Sequence, residues 1–269
     1  MRELFERGYF VVCVALGWLL RSARYSKVRI VDGDGDGVRK RRAFYAPLLI
    51  WSTGPLVKIL DIGVRVLPQP DWEERERQMY RCLYGASIRV EDDGTLILPC
   101  LAGATLACLL ENENENESMR KRGIESAVVA LAGLHRLGFT HGDAMAENVM
   151  IDVEAGVARW FDFETVHDSH RSMDWRRADD LRALLATCLV RTIPDKRAET
   201  VQLILDAYAD ERITHVLATS FTSIFRRSLS FHLAQAGLSC SSFQQCATLC
   251  ATRQSDPPAR RAERARSTP

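Results

Sequence analysis

His141-Gly-Asp-Ala-Met-Ala-Glu-Asn148 decides how the rest of the chain is interpreted, and Phe161-Asp-Phe-Glu164 follows it after a short interval. Residues 149–153 and 157–161 between them have the composition of short strands. A turn containing a glycine separates these strands, so the sequence predicts a β-hairpin between the two motifs.

Each polar residue of these motifs has an ordinary structural interpretation when it is taken alone. Asp143 suits a turn or a cap, and Asn148 suits a solvent-exposed loop. The joint pattern favours a functional interpretation, because His141-Gly-Asp143 with Asn148 is expected by chance in roughly one or two of a thousand chains of this length, and Asp162-Phe163 at the right distance lowers that about a hundredfold.

The other predicted elements are strands towards the N-terminus and helices towards the C-terminus. Strands are predicted at 27–31, 38–44 and 95–98, and helices at 72–83, 104–110, 119–137, 179–190, 196–208 and 212–236. Asp71 is the predicted N-cap of the first helix, and Gly138 is placed to end the third. The predicted fold class is α+β.

The stretch Asp32-Gly-Asp-Gly-Asp-Gly37 joins the first two predicted strands as a hairpin turn. It superficially resembles a calcium loop, but the acidic residue expected at the twelfth position is replaced by Ala43. We therefore interpret the stretch as a solvated turn and do not assign its glycines to a nucleotide.

The order of these elements, with His141-Gly-Asp143, Asn148 and Phe161-Asp162, resembles the protein-kinase-like superfamily. The resemblance implies a two-lobed fold, with a small β-rich N-lobe at 27–103 and a compact helical C-lobe at 104–245. Residues 1–26 would form an apolar and basic helix, and residues 246–269 a disordered basic tail.

The resemblance also implies ATP and Mg²⁺ as cofactors. Asp143 would be the catalytic residue that accepts or orients the proton of an acceptor hydroxyl. Asn148 and Asp162 carry hard oxygen ligands and would hold Mg²⁺ on the nucleotide phosphates.

In this superfamily a lysine on the third strand of the N-lobe contacts the phosphates, and a glutamate from a helix holds that lysine. Lys40 and Glu76 are the candidates, and Lys58 is the alternative lysine. Each lysine also suits an ordinary surface position, and Glu76 suits an ordinary helix face. Either Asp179 or Asp180 resembles the helix acid that supports the catalytic loop in this superfamily, and Asp180 is the stronger candidate. The alternative is that the two aspartates are an N-cap pair.

Gly142 stands where typical regulated protein kinases have arginine, so a phosphorylated activation loop would lack its usual partner. Together with Asp162-Phe-Glu164, this resembles atypical branches, foremost the lipopolysaccharide (Kdo and heptose) kinases and the RIO-like kinases. The implied function is transfer of the γ-phosphate of ATP to a hydroxyl of a glycolipid sugar or a protein. The alternatives are an aminoglycoside- or choline-kinase-like phosphotransferase and a catalytically inactive pseudokinase that acts as a binding module.

Composition and charge limit the location and the partners of the protein. The 36 basic and 35 acidic residues nearly balance, so no specific nucleic acid is expected as a partner. The eight cysteines form no metal-binding pattern and predict buried, reduced thiols of a cytoplasmic protein. The apolar run at 9–20 is too short to span a bilayer, and we expect it to pack on the domain, with membrane-surface contact through 9–27 as the alternative.

Overall fold

The structure, a computed structural model, describes residues 26–31, 37–59 and 61–222. The helix predicted within 1–26, most of the turn at 32–37, the end of the helix at 212–236 and the basic tail lie outside the described residues. So do Cys13, Cys240, Cys246 and Cys250. The described chain is a mixed α+β protein with three small sheets.

The strands are β1 (Ser26–Val31), β2 (Gly37–Arg42), β3 (Val64–Val66), β4 (Arg89–Val90), β5 (Leu96–Pro99), β6 (Ala104–Thr105), β7 (Val149–Asp152), β8 (Val157–Trp160) and β9 (Thr165–His167). The helices are α1 (Ala46–Ile59), α2 (Gln69–Tyr84), α3 (Leu106–Glu111), α4 (Glu117–Arg136), α5 (Met173–Val190), α6 (Arg197–Tyr208) and α7 (Glu211–Thr222).

The first sheet has the strand order β1-β2-β5-β4, and all of its pairs are antiparallel. The hairpin of β1 and β2 was predicted, and its ends agree within two residues. Lys40 pairs with Val28 on one side and with Leu96 on the other. It therefore lies in the interior of the sheet, on the second of the described strands rather than the third.

The helix α1 follows the first sheet and was not predicted from the sequence. It contains Gly54 and Pro55, two residues that disfavour helix interiors. Near its start, Ala43 and Ala46 are buried and pack against half-buried residues that include Leu49 and Ile50. Packing of this face compensates for the poor helix propensity.

The helix α2 begins earlier than the predicted helix at 72–83, and the prediction of Asp71 as its N-cap is wrong. Pro68 occupies the N-cap position without a side-chain bond, and Pro70 lies in the first turn, where a missing N–H group costs nothing. Asp71 lies within the first turn, where its charge favours the helix dipole.

The helix predicted at 104–110 begins two residues later than expected. Ala104 and Thr105 form β6 and pair with β7, and the helix α3 begins only at Leu106. The reason is that the Thr105 hydroxyl accepts a bond from the Cys108 amide and caps the helix.

The hairpin predicted between Asn148 and Asp162 is present as β7 and β8, with Val149 opposite Trp160. After it, β9 pairs with β3. The backbone amide of Leu67 also donates to the Glu164 carbonyl at 2.8 Å. These bonds join the segment just before α2 to the residues that follow Asp162.

The helix α5 lies in the core of the molecule. It begins six residues before the predicted start, because Ser172 caps it through the Trp175 amide at 3.2 Å. Its packing contacts reach α4, α6 and α7. Its central residues, including two aspartates and an arginine, are almost completely buried.

Two further properties follow from the described residues. None of their helices is both long enough and apolar enough to cross a membrane. The prediction of buried thiols is correct for Cys188 and wrong for Cys82, Cys100 and Cys108, which are exposed. Each of these three lies near an element end, where an apolar sequence neighbourhood does not imply burial.

Candidate active site

Lys40 is buried, with 3% of its surface exposed, and it joins two carboxylates that are far apart in sequence. Its Nζ donates to Glu76 Oε1 at 2.7 Å and to Asp162 Oδ1 at 2.5 Å. Burial lowers the pKa of Lys40, but the negative charges of Asp162, Glu76 and Glu164 outweigh burial and raise it above its ordinary value. The ammonium group therefore stays charged.

Lys58, the alternative lysine, lies outside this group of side chains. It is exposed near the end of α1. The structure thus brings Lys40, rather than the alternative Lys58, together with Glu76 and Asp162.

Glu76 is completely buried in α2, rather than at the edge of the buried face as its spacing predicts. Its Oε1 also accepts a bond from Trp72 Nε1 at 3.2 Å, and Lys40 Nζ lies 5.1 Å from the centre of that indole ring. Its Oε2 has no hydrogen-bond partner among the described residues. A buried carboxylate of this kind is stable only beside a cation, which Lys40 supplies.

Residues 141–148, called the His141 loop from here on, hold Asp143 and Asn148 in one hydrogen-bonded unit. Asn148 Nδ2 donates to the Asp143 carbonyl at 2.8 Å and to Asp143 Oδ2 at 3.0 Å. A short 3₁₀ turn at Ala146–Asn148 makes this return possible. The amide orientation leaves the Asn148 Oδ1 as the atom that can bind a cation.

Asp162 lies next to this loop because two bonds hold the residue before it. The Phe161 amide donates to the Asn148 carbonyl at 3.0 Å, and His141 Nε2 donates to the Phe161 carbonyl at 2.9 Å. Asp162 itself has φ 67°, a left-handed conformation that costs a non-glycine residue about 1–3 kcal/mol and is concentrated at functional sites. The buried Phe163, whose ring centre lies 4.8 Å from that of His141, anchors the other side.

Asp143 as a residue is half-buried, and burial of its carboxyl group raises the pKa to about 8. The negative charges of Asp162 and Glu164 contribute to the increase, and the hydrogen bond from Asn148 opposes it. A pKa close to neutrality suits a group that exchanges a proton during a reaction.

Gly142 is required by the backbone. Its φ is 87°, and a Cβ at this position would lie 2.7 Å from the Thr165 carbonyl oxygen of β9. No side chain fits there without a shift of the loop or the strand.

Asp180, on α5, holds the His141 loop through hydrogen bonds, as the sequence comparison of Asp179 and Asp180 favoured. Its carboxylate accepts bonds from the backbone amides of His141 at 2.7 Å and Gly142 at 2.8 Å. Burial raises the pKa of Asp180, but the neighbouring His167 and His135 outweigh it and hold the pKa below its ordinary value. Asp179 is ion-paired with Arg182 instead, and neither aspartate is an N-cap because α5 starts at Met173.

Sequence reasoning missed the residues that connect this site to the surrounding helices. His135 Nε2 lies 3.0 Å from Asp180 Oδ2, and its Nδ1 lies 2.6 Å from the Tyr208 hydroxyl. Arg75 donates to the Thr140 carbonyl at 2.8 Å and so ties α2 to the residue before the His141 loop. Arg75 directly precedes Glu76, but no local pattern signals partners that are tens of residues away.

Asn148 and Asp162 supply two side-chain oxygen ligands. This small number suits a magnesium ion that also binds phosphate and water better than a metal ion bound only by protein side chains. No group of three or more His, Cys, Asp or Glu side chains suitable for a metal occurs among the residues that the structure describes. Mg²⁺ is usually bound through one or two carboxylates, with phosphate oxygens and waters as its other ligands. The Asp162 side chain is 31% exposed and thus accessible to such a complex.

A comparison with models of known protein families gives no match, and no curated protein is significantly similar in sequence.

Proposed function

We propose that the chain is an atypical ATP-dependent phosphotransferase with a two-lobed protein-kinase-like fold. The observation that carries the proposal is the position of Lys40, whose Nζ contacts Glu76 and Asp162 across 36 and 122 residues of sequence. Asn148 bonds the Asp143 carboxylate, and its carbonyl accepts a bond from the amide of Phe161, the residue before Asp162. A buried lysine, a buried glutamate, two aspartates and an asparagine thus lie in one group of side chains, which supports the proposal.

In this proposal the first sheet and α2 belong to an N-lobe at 27–103, and the helices from α3 onwards belong to a C-lobe at 104–245. The lysine and its glutamate come from the first lobe, and Asp143, Asn148 and Asp162 come from the second. Because the ion pair of Lys40 with Asp162 joins the two groups, a nucleotide bound there would contact both.

The proposed reaction assigns a separate role to each side chain. Lys40 binds oxygens of the nucleotide phosphates, and Asp143 orients the acceptor hydroxyl and takes its proton as the oxygen attacks the γ-phosphorus. The bond from the γ-phosphorus to the bridging oxygen breaks, and ADP leaves. Mg²⁺ held by Asn148 and Asp162 would neutralise charge on the phosphates.

The acceptor that we propose is a hydroxyl of a glycolipid sugar or of a protein, with a small aminoglycoside- or choline-like molecule as the alternative. The geometry at Gly142 supports an atypical branch, because the close approach of Thr165 leaves no room for the arginine of regulated kinases. Switching by a phosphorylated activation loop is therefore not part of the proposal.

The test is ADP release and autophosphorylation by the purified full-length chain with Mg·ATP, together with the thermal shift that ATP induces. Lys40→Gln should abolish both signals, while the matched control Lys58→Gln should retain them, because only Lys40 contacts Glu76 and Asp162. Asp143→Asn should retain the thermal shift and lose about 10²- to 10⁴-fold in turnover. Absence of turnover and of a thermal shift in the unmodified chain would refute the proposal.

A nucleotide-binding module without phosphoryl transfer is the second candidate. The sequence favours it in one respect, because the glycines at 32–37 are not assigned to a nucleotide and no glycine-rich phosphate loop is identified beside the first strands. In that case the unmodified chain would show the thermal shift without turnover, and Asp143→Asn would change neither.

A further inference from the structure

An exposed apolar stripe runs along α1 and the residues before it. Phe44, Leu48 and Trp51 are 91%, 68% and 76% exposed. Leu48 and Trp51 are three residues apart and lie on one side of α1, and Phe44 lies in the turn just before the helix; these three side chains are called the α1 face from here on. The helix has fourteen residues, and Lys58 at its end is its single charged residue.

This face is unusual for a surface that stays in contact with water. Exposed apolar side chains are common singly, but three within eight residues of chain, two of them aromatic, indicate a surface that another element covers. The opposite side of α1 already packs through Ala46 and its neighbours. A helix that is apolar on both sides is normally buried on both.

The register of the first sheet identifies the chain segment next to this face. Ser26 at the start of β1 pairs with Arg42 at the end of β2. The residues before Ser26 are therefore attached to the chain at a point opposite Arg42, two positions before Phe44. The sequence before Ser26 includes the run 9–20, twelve residues without a charge.

Covalent geometry allows this run to reach the face. Residues 21–25 separate it from Ser26 and can extend over about 17 Å at most. The helical rise from Ala46, at the start of α1, to Trp51 is about 8 Å. The attachment also gives the run a high effective concentration at the face, which a separate molecule does not have.

We propose that residues 9–20 of the same chain cover the α1 face. A lipid surface is less consistent with α1, since anionic lipids are held by basic side chains next to the apolar ones and the helix carries a single basic residue, Lys58. Arg21 and Arg24 in the connecting segment make membrane binding the main alternative to test.

The test uses cross-linking in the full-length chain with a short bifunctional maleimide. Cys13 lies in the run, and Ser52→Cys places a thiol beside the α1 face without changing Phe44, Leu48 or Trp51. Peptide mass spectrometry should find the link between positions 13 and 52 within one chain, in excess of links from Cys13 to the exposed Cys82, Cys100 and Cys108. Links from Cys13 that do not favour position 52, or links between two chains, would overturn the proposal.

Two further measurements separate the remaining occupants. Leu48→Ser should lower the melting temperature of the full-length chain, while Ile193→Ser, at a position 64% exposed, should leave it unchanged. Equal melting temperatures for the two variants would contradict a covered face. Flotation of the chain with phosphatidylglycerol vesicles, with loss of the 13–52 link in their presence, would assign the face to a membrane instead.

Discussion

Replacement of Asp180 by asparagine should destabilise the protein through the backbone of the His141 loop. Asp180 accepts bonds from two backbone amides and lies 3.0 Å from His135 Nε2, and 1% of its surface is exposed. Asparagine keeps the volume but replaces one accepting oxygen by an NH₂ group, which leaves at least one buried donor without an acceptor. That loss costs about 1–3 kcal/mol, and the surviving bond loses its charge assistance. We expect a total decrease of about 2–4 kcal/mol in the free energy of unfolding.

The assay is urea unfolding at neutral pH, followed by tryptophan fluorescence. The matched control is Asp174→Asn on the same helix, where the carboxylate is 31% exposed and paired with the exposed Arg212. An exposed pair of this type contributes about 0–1 kcal/mol, so the control should be close to the unmodified protein. Equal effects of the two substitutions, or a change below about 1 kcal/mol for Asp180→Asn, would refute the role of Asp180.

The same variant also tests whether Asp180 acts through the loop on the proposed chemistry. Asp180 holds the amides of His141 and Gly142, which precede Asp143 in the chain. We therefore expect a lower kcat with little change in the ATP-induced thermal shift, because Lys40 and Glu76 are held by other contacts. Loss of nucleotide binding in a folded variant would contradict the expectation that Asp180 affects kcat and not nucleotide binding.

Three other substitutions or conditions have defined outcomes. Burial lowers the pKa of His141 from 6.5 to about 4, so the unfolded chain binds this proton at a higher pH than the folded chain does. The free energy of unfolding should therefore decrease by at most about 3 kcal/mol as the pH falls from 6.5 to 4. The urea midpoint of His141→Gln should lack this contribution to the pH dependence. Gly142→Ala should cost at least about 1–3 kcal/mol in urea unfolding, because the added methyl group meets the Thr165 carbonyl in a left-handed backbone conformation, and an unchanged midpoint would exclude that contact. Arg191→Met should lower stability by about 1–2 kcal/mol and increase protease cleavage near the His141 loop, because Arg191 bonds Glu147 at 2.7 Å.

Much of the candidate site could be anticipated from local sequence. The hairpin between Asn148 and Asp162 has strand-forming residues on both sides of a turn that contains Gly156, so its formation depends on neighbours in sequence. The bond from Asn148 to Asp143 likewise spans five residues. The helix α1 could not be anticipated in this way, because Gly54 and Pro55 interrupt its pattern and packing of one face stabilises it.

The amino-acid sequence by itself determined the short-range parts of this protein: the His141 loop residues, the hairpin and the helical segments with regular apolar spacing. The choice between Lys40 and Lys58, the burial of Glu76 and the roles of Asp179 and Asp180 were decided only by the tertiary structure. The features of Lys40, Glu76 and Asp180 depend on contacts between residues 36 to 122 positions apart, such as Lys40 with Glu76 and Asp162. Such contacts form only when several packed elements bring distant residues together, and no local propensity encodes that approach.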